Sequence, residues 1–114
     1  IDDYGTAAKA IEKRDFNQLA GVAELNCLKM HSLMLTSIPT LSYWKPASLA
    51  CMDCIRELRD QGHEVFFTID AGPQIKAICS KKSRQAVSAA LAKVPGVLEI
   101  INCTLGEGAR ILEQ

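Results

Sequence analysis

The stretch Val65-Phe66-Phe67-Thr68-Ile69-Asp70-Ala71-Gly72-Pro73-Gln74-Ile75-Lys76-Ala77-Ile78-Cys79 decides the architecture. Residues 65–69 are β-branched and aromatic, Ala71-Gly72-Pro73 is turn chemistry, and 75–79 is a second short apolar run, so a strand, a tight turn and a strand are expected. Upstream, Pro46 suits the first turn of a helix with Ala47, Cys51, Cys54, Ile55 and Leu58 as its apolar stripe, and Gly62 is a natural stop for it. Asp15 caps an earlier, long and deeply packed helix carrying Phe16, Leu19, Ala20, Ala23, Cys27, Met30 and Met34, which Pro39 ends. A first helix runs from Asp3 to about Lys13, with Ala7, Ala8 and Ile11 on one side. Downstream, Ser83 caps a helix with Val87, Ala90, Leu91 and Val94 on one face, closed by Pro95-Gly96. Residues 97–103 and 109–112 read as two further strands. Without the first two helices the order is αββαβ plus a terminal strand. This predicts an α+β fold, a ferredoxin-like antiparallel sheet with helices packed on one face and extra N-terminal helices.

The 114 residues fit one domain, and 48% hydrophobic with 23% charged residues excludes a disordered chain. The 13 basic and 13 acidic side chains balance, which removes a global drive toward nucleic acid or anionic lipid. No apolar run is long enough to cross a bilayer, and Ile1-Asp2-Asp3-Tyr4-Gly5 lacks the regions of a signal peptide. The 5 cysteines are an odd number inside apolar segments, which points to a reducing compartment, most simply the cytoplasm. A start at Ile rather than Met suggests a piece of a longer polypeptide.

Cys51-Met52-Asp53-Cys54 is a CxxC, but Cys51 falls inside a helix rather than at its N-terminus, and no second ligand pair completes a zinc site. Core packing is expected for both, and for Cys27, Cys79 and Cys103. His31 and His63 lack a neighbouring nucleophile or ligand, so packed or surface roles are expected and no metal site is assigned. The Asn102-Cys103-Thr104 sequon is taken as accidental, and Lys81, Lys82 and Arg84 as a solvated cluster. Asp70 differs. A carboxylate at a rigid strand end, shielded by Phe66 and Phe67, can accept a proton from a substrate hydroxyl, and Gly72 lets another group approach the backbone. The alternative is a hairpin in which Asp70 caps its own turn. Spacing alone leaves both open.

Met30-His31 with Leu35-Thr36, Pro39, Tyr43-Trp44-Lys45-Pro46, the block from Phe67 to Pro73 and the closing Gly106-Glu107-Gly108-Ala109-Arg110 together resemble the C-terminal domain of the diphosphomevalonate decarboxylases, in the GHMP kinase superfamily. Gln74 departs from the Asn that usually follows Asp-Ala-Gly-Pro there. The resemblance implies that residues 1–114 are a single domain, the C-terminal fragment of a two-domain decarboxylase. It implies ATP-dependent conversion of mevalonate 5-diphosphate to isopentenyl diphosphate with release of ADP, phosphate and carbon dioxide. Asp70 is implied as catalytic and Ala71, Gly72 and Pro73 as substrate-binding. ATP and Mg²⁺ are implied as bound mainly by an N-terminal domain, whose phosphate loop has no counterpart here, so the fragment alone is expected to be inactive. That domain is the implied partner; a homodimer face is left open. Two other readings compete: a free-standing ferredoxin-like binding or regulatory module, and a related GHMP-type kinase acting on mevalonate derivatives. A redox or zinc role for the CxxC requires exposed thiols.

Overall fold

The computed structural model describes residues 2–113. Its elements run α1 (Asp3–Glu12), α2 (Phe16–Leu35), α3 (Pro46–Asp60), β1 (Val65–Thr68), β2 (Lys76–Cys79), a 3₁₀ turn (Lys81–Ser83) and α4 (Arg84–Ala92). The expected hairpin forms: β1 and β2 are antiparallel, with Val65 opposite Cys79 and Thr68 opposite Lys76. The helix ends follow their sequence signals. The Asp15 carboxylate accepts from the Gln18 amide at 3.0 Å, and Pro46 opens α3. Gly62, at φ +96°, ends α3 in a Schellman turn: its amide reaches the Arg59 carbonyl and the His63 amide reaches that of Leu58.

The core is built on one face of β1. Val65, Phe67 and the following Ile69 pack with Cys51, Met52, Ile55 and Leu58 of α3, Val87 and Leu91 of α4, and Cys27 of α2. The α3 stripe is set slightly round from the expected one, with Ser48 and Met52 buried and Ala47 only partly so. Phe66, on the opposite pleat, meets Phe16 at 5.5 Å between ring centroids.

The long helix α2 is less deeply packed than expected: Ala20, Cys27 and His31 are its buried residues, and Leu25 and Leu33 are exposed. It runs beside β1 because its polar side chains meet the strand's outer edge. Alternate residues of a strand turn their amide and carbonyl to the same edge, and here Glu24 accepts from the Phe67 amide at 3.2 Å. Arg59 grips the same carboxylate through two bonds of 2.8 and 2.9 Å and also reaches the Val65 carbonyl at 3.4 Å. The bond to Glu24 pushes Arg59 above the usual arginine range.

Several expectations need correction. Ile11 is exposed, and Ala10 is the α1 residue that buries against its neighbours. Ser83 does not cap α4 through its side chain; its Oγ accepts from the Glu64 amide at 3.2 Å, tying the helix start to β1 instead. Residues 97–103 and 109–112 form no strands, so the antiparallel sheet has two strands among the described residues. β-branched composition favours a strand only where a neighbour supplies ladder bonds and a buried face. Val97 and Ile100 do lean on the core, but residues 101–113 are exposed throughout.

Replacing Glu24 with Leu leaves the Phe67 amide and the Arg59 guanidinium without their shared acceptor. The expected loss is about 1–3 kcal/mol of unfolding free energy, read by urea denaturation. Phe67→Ala, which empties the centre of the core, should cost more, about 3–5 kcal/mol.

Candidate active site

The loop between the strands is held at both ends by buried polar groups from two helices. At its start, Cys27 Sγ accepts from the Ile69 amide at 3.3 Å and lies 3.5 Å from the Ile69 carbonyl as a thiol donor. His31 Nε2 is 2.8 Å from that same carbonyl oxygen. A carbonyl can only accept, so the Nε2 nitrogen carries the proton. The imidazole is packed by Trp44 at 5.0 Å and Tyr43 at 6.4 Å between ring centroids. The indole Nε1 of Trp44 is buried without a hydrogen-bond partner.

At the loop's far end the buried Ser48 Oγ donates to the Pro73 carbonyl at 2.9 Å and accepts from the Lys45 amide at 3.1 Å. One hydroxyl thus joins the first turn of α3 to the end of the Asp-Ala-Gly-Pro segment. Between the anchors Gly72 sits at φ +148°, and a Cβ there would run into the Gln74 carboxamide oxygen. Only glycine takes that backbone without strain.

Between these anchors Asp70 points outward. Its side chain is 75% exposed and ion-paired with Lys76, itself 57% exposed. The expected shielding by Phe66 and Phe67 is not found, because those rings are buried while the carboxylate stands in solvent. What accompanies Asp70 instead is an ammonium from the first residue of β2. The antiparallel register places it there, opposite Thr68. Ala71 and Pro73 are exposed and Gly72 partly so, so the four expected site residues lie together on an open rim.

Lys76, Ser48, Cys27 and the bonding role of His31 were not singled out for this site from sequence. Lys76 had a signal in the hairpin register; the others depend on which helix faces lie against the loop. The pocket walls formed by Lys13, Arg14, Asp15, Asn17 and His63 gather at the α1–α2 turn and contain none of the four.

The thiols follow their burial. Desolvation pushes Cys51 up, with Cys54 beside it adding to the rise, and burial followed by Glu57 does the same for Cys54. Burial also raises Cys79, against an opposing pull from Arg84. These are not activated thiols. Cys103 departs from the expected core role: it is exposed, because the strand that was to bury it does not form. Among the described residues no group of three or more His, Cys, Asp or Glu side chains could hold a metal ion, and no helix is long and apolar enough to cross a membrane.

Residues 3–111 match the family model described as "Mevalonate 5-diphosphate decarboxylase C-terminal domain". Comparison with curated protein sequences finds no match. Among solved structures, the chain is similar to the mevalonate diphosphate decarboxylase from Enterococcus faecalis, with 36% identity and a TM-score of 0.76 over 81% of this chain and 29% of that one. It is similar to the mevalonate diphosphate decarboxylase from Staphylococcus aureus, with 36% identity and a TM-score of 0.77 over 80% of this chain and 28% of that one. A structure of MDDEF in complex with MVAPP, AMPPCP and magnesium matches at 36% identity and a TM-score of 0.77 over 81% of this chain and 28% of that one. The chain thus spans less than a third of the length of the structures it matches.

Brief alkylation of the native protein at mildly alkaline pH should label Cys103 first, with Cys27 and Cys51 modified only on unfolding. Peptide mass mapping reads the order. Equal labelling of Cys51 and Cys103 would contradict the burial described here.

Proposed function

This chain belongs to the mevalonate 5-diphosphate decarboxylase C-terminal domain family, and on that premise we propose that it is the C-terminal part of a two-domain, ATP-dependent decarboxylase acting on mevalonate 5-diphosphate. The observation that carries the reading is the exposed Asp70, set on a loop with both ends tied to buried side chains and paired with Lys76. A group meant only to cap its own turn would have its oxygens on the turn's amides; Asp70 makes its bond to Lys76 Nζ.

In this reading the Asp70 carboxylate receives the proton of the substrate's tertiary hydroxyl and holds its oxygen in line with the γ-phosphorus of ATP. The new O–P bond forms as the bond to the ADP oxygen breaks. Departure of phosphate then takes the C–O electron pair. The C–C pair released by the leaving carbon dioxide becomes the double bond of isopentenyl diphosphate. Lys76 keeps a positive charge beside the acting carboxylate, which eases the approach of phosphate oxygens.

ATP and magnesium fit this chain poorly by themselves. Asp70 is a single exposed carboxylate, no cluster of metal-ligating side chains surrounds it among the described residues, and no glycine-rich phosphate loop occurs in the sequence. The proposed remedy is an N-terminal domain of the same polypeptide that faces the Asp70 rim and binds the nucleotide. The structure of MDDEF in complex with MVAPP, AMPPCP and magnesium supports that ligand set for the family.

In the full-length enzyme Asp70→Asn should lower kcat by roughly 10²–10⁴-fold with an unchanged melting temperature, measured as ATP-dependent release of carbon dioxide from mevalonate 5-diphosphate. Near-normal turnover would sink the assignment. Gly72→Val should cost about 1–3 kcal/mol of stability through backbone strain and reduce the rate as well.

A further inference from the structure

The Asp70 carboxylate is not held by packing. It is largely exposed, and its ion-pair partner is a flexible lysine that is itself more than half exposed. The direction in which it leaves the sheet is therefore set by the backbone on either side. That backbone includes Gly72 at positive φ, the residue type that constrains a loop least, and Pro73 restricts only its own φ, so the loop's course also depends on how its ends are held.

At the leading end, the Ile69 carbonyl, one peptide before Asp70, receives the Nε2–H of His31 at 2.8 Å. His31 is 2% exposed, and Tyr43 and Trp44 pack its ring, so the donor cannot swing away. At the trailing end, Ser48, 3% exposed, donates to the Pro73 carbonyl at 2.9 Å. The two donors come from different helices, α2 and α3, both of which pack on β1. Buried polar side chains of this kind stay satisfied by holding their partner in one place.

We infer that His31 and Ser48 are positioning residues for Asp70: hydrogen bonds from their buried side chains to the carbonyls of Ile69 and Pro73 clamp the two ends of the loop and aim the carboxylate at the reacting hydroxyl. The inference rests on Asp70 being the acting carboxylate. Both residues are buried beneath the loop rather than on its exposed rim. Cys27 still holds the Ile69 amide when His31 is lost, so removing either donor loosens one end of the loop rather than releasing it, and a shift of the carboxylate by an ångström or so costs on the order of 10²-fold in rate when a reacting group must be aligned.

The test uses the full-length enzyme and reads kcat and KM separately, together with the melting temperature. His31→Leu deletes the donor, and His31→Gln keeps an N–H that can reach the place of Nε2. The expected result is a fall in kcat of roughly 10²-fold for His31→Leu, with KM for both substrates within about threefold of wild type, and recovery to within about tenfold for His31→Gln. A His31→Gln enzyme as slow as His31→Leu, with activity following melting temperature rather than the donor, overturns the clamp. If His31→Leu does not fold, Ser48→Ala takes its place: a kcat lowered about tenfold at constant KM supports the role, and an unchanged kcat overturns it. Asp70→Asn measured alongside separates the two claims. An inactive Asp70→Asn beside a fully active His31→Leu removes the clamp and leaves the proposed function standing. An active Asp70→Asn removes both.

Discussion

A β-strand with one neighbour has an edge of amides and carbonyls that must find partners, and the way β1 meets this requirement organises the molecule. Its outer edge carries the Phe67 amide and, just past the strand's end, the Ile69 amide and carbonyl. These are met by Glu24, Cys27 and His31. The spacing of those three is i, i+3, i+7, one face of a helix. A polar stripe on α2 thus takes the place of a third strand. An unpartnered buried amide costs about 1–3 kcal/mol, so the helix is bound to the strand by groups that cannot be dispensed with, as well as by apolar area.

That arrangement links packing to chemistry. Arg59 holds Glu24 from α3 while Glu24 holds β1, so α2, α3 and the strand meet at one carboxylate. Farther along the same edge, Cys27 and His31 hold the residue before Asp70. The apolar core beneath, centred on Phe67, Ile55 and Ile69, supplies rigidity; the polar stripe beside it supplies register. The exposed rim of residues 70–73 is irregular backbone on a fixed base, the usual way for a folded domain to present reactive groups.

Much of this was legible in the sequence. Strongly local signals carried over: Asp15 as a cap, Pro46 at a helix start, Gly62 as a stop, and the hairpin around Asp-Ala-Gly-Pro. Local signals act over three or four residues, and of the expected caps Ser83 alone was overruled, its hydroxyl being taken by the Glu64 amide. The larger errors are of another kind. Residues 97–103 and 109–112 have strand composition, but a strand requires a partner edge, and one edge of β1 is already filled by helix side chains that periodicity does not reveal. His31 was expected to be packed or at the surface, and it is packed. Its bond to Ile69, like that of Ser48 to Pro73, spans a separation only the fold closes. Lys76 was hidden in a run read for its apolar residues, and its place beside Asp70 comes from the register of the hairpin.

The filled edge has a further consequence, for self-association. Aggregation by strand pairing needs two open edges per molecule, so that each copy can accept one neighbour and offer itself to the next. With β1 closed by Glu24, Cys27 and His31, the described sheet has a single open edge, that of β2. Pairing through it uses the one open edge of the described sheet in both copies. Through sheet edges of the described residues it ends at two molecules. The side chains that fix the loop therefore also leave this small sheet unable to act as a link in a growing chain.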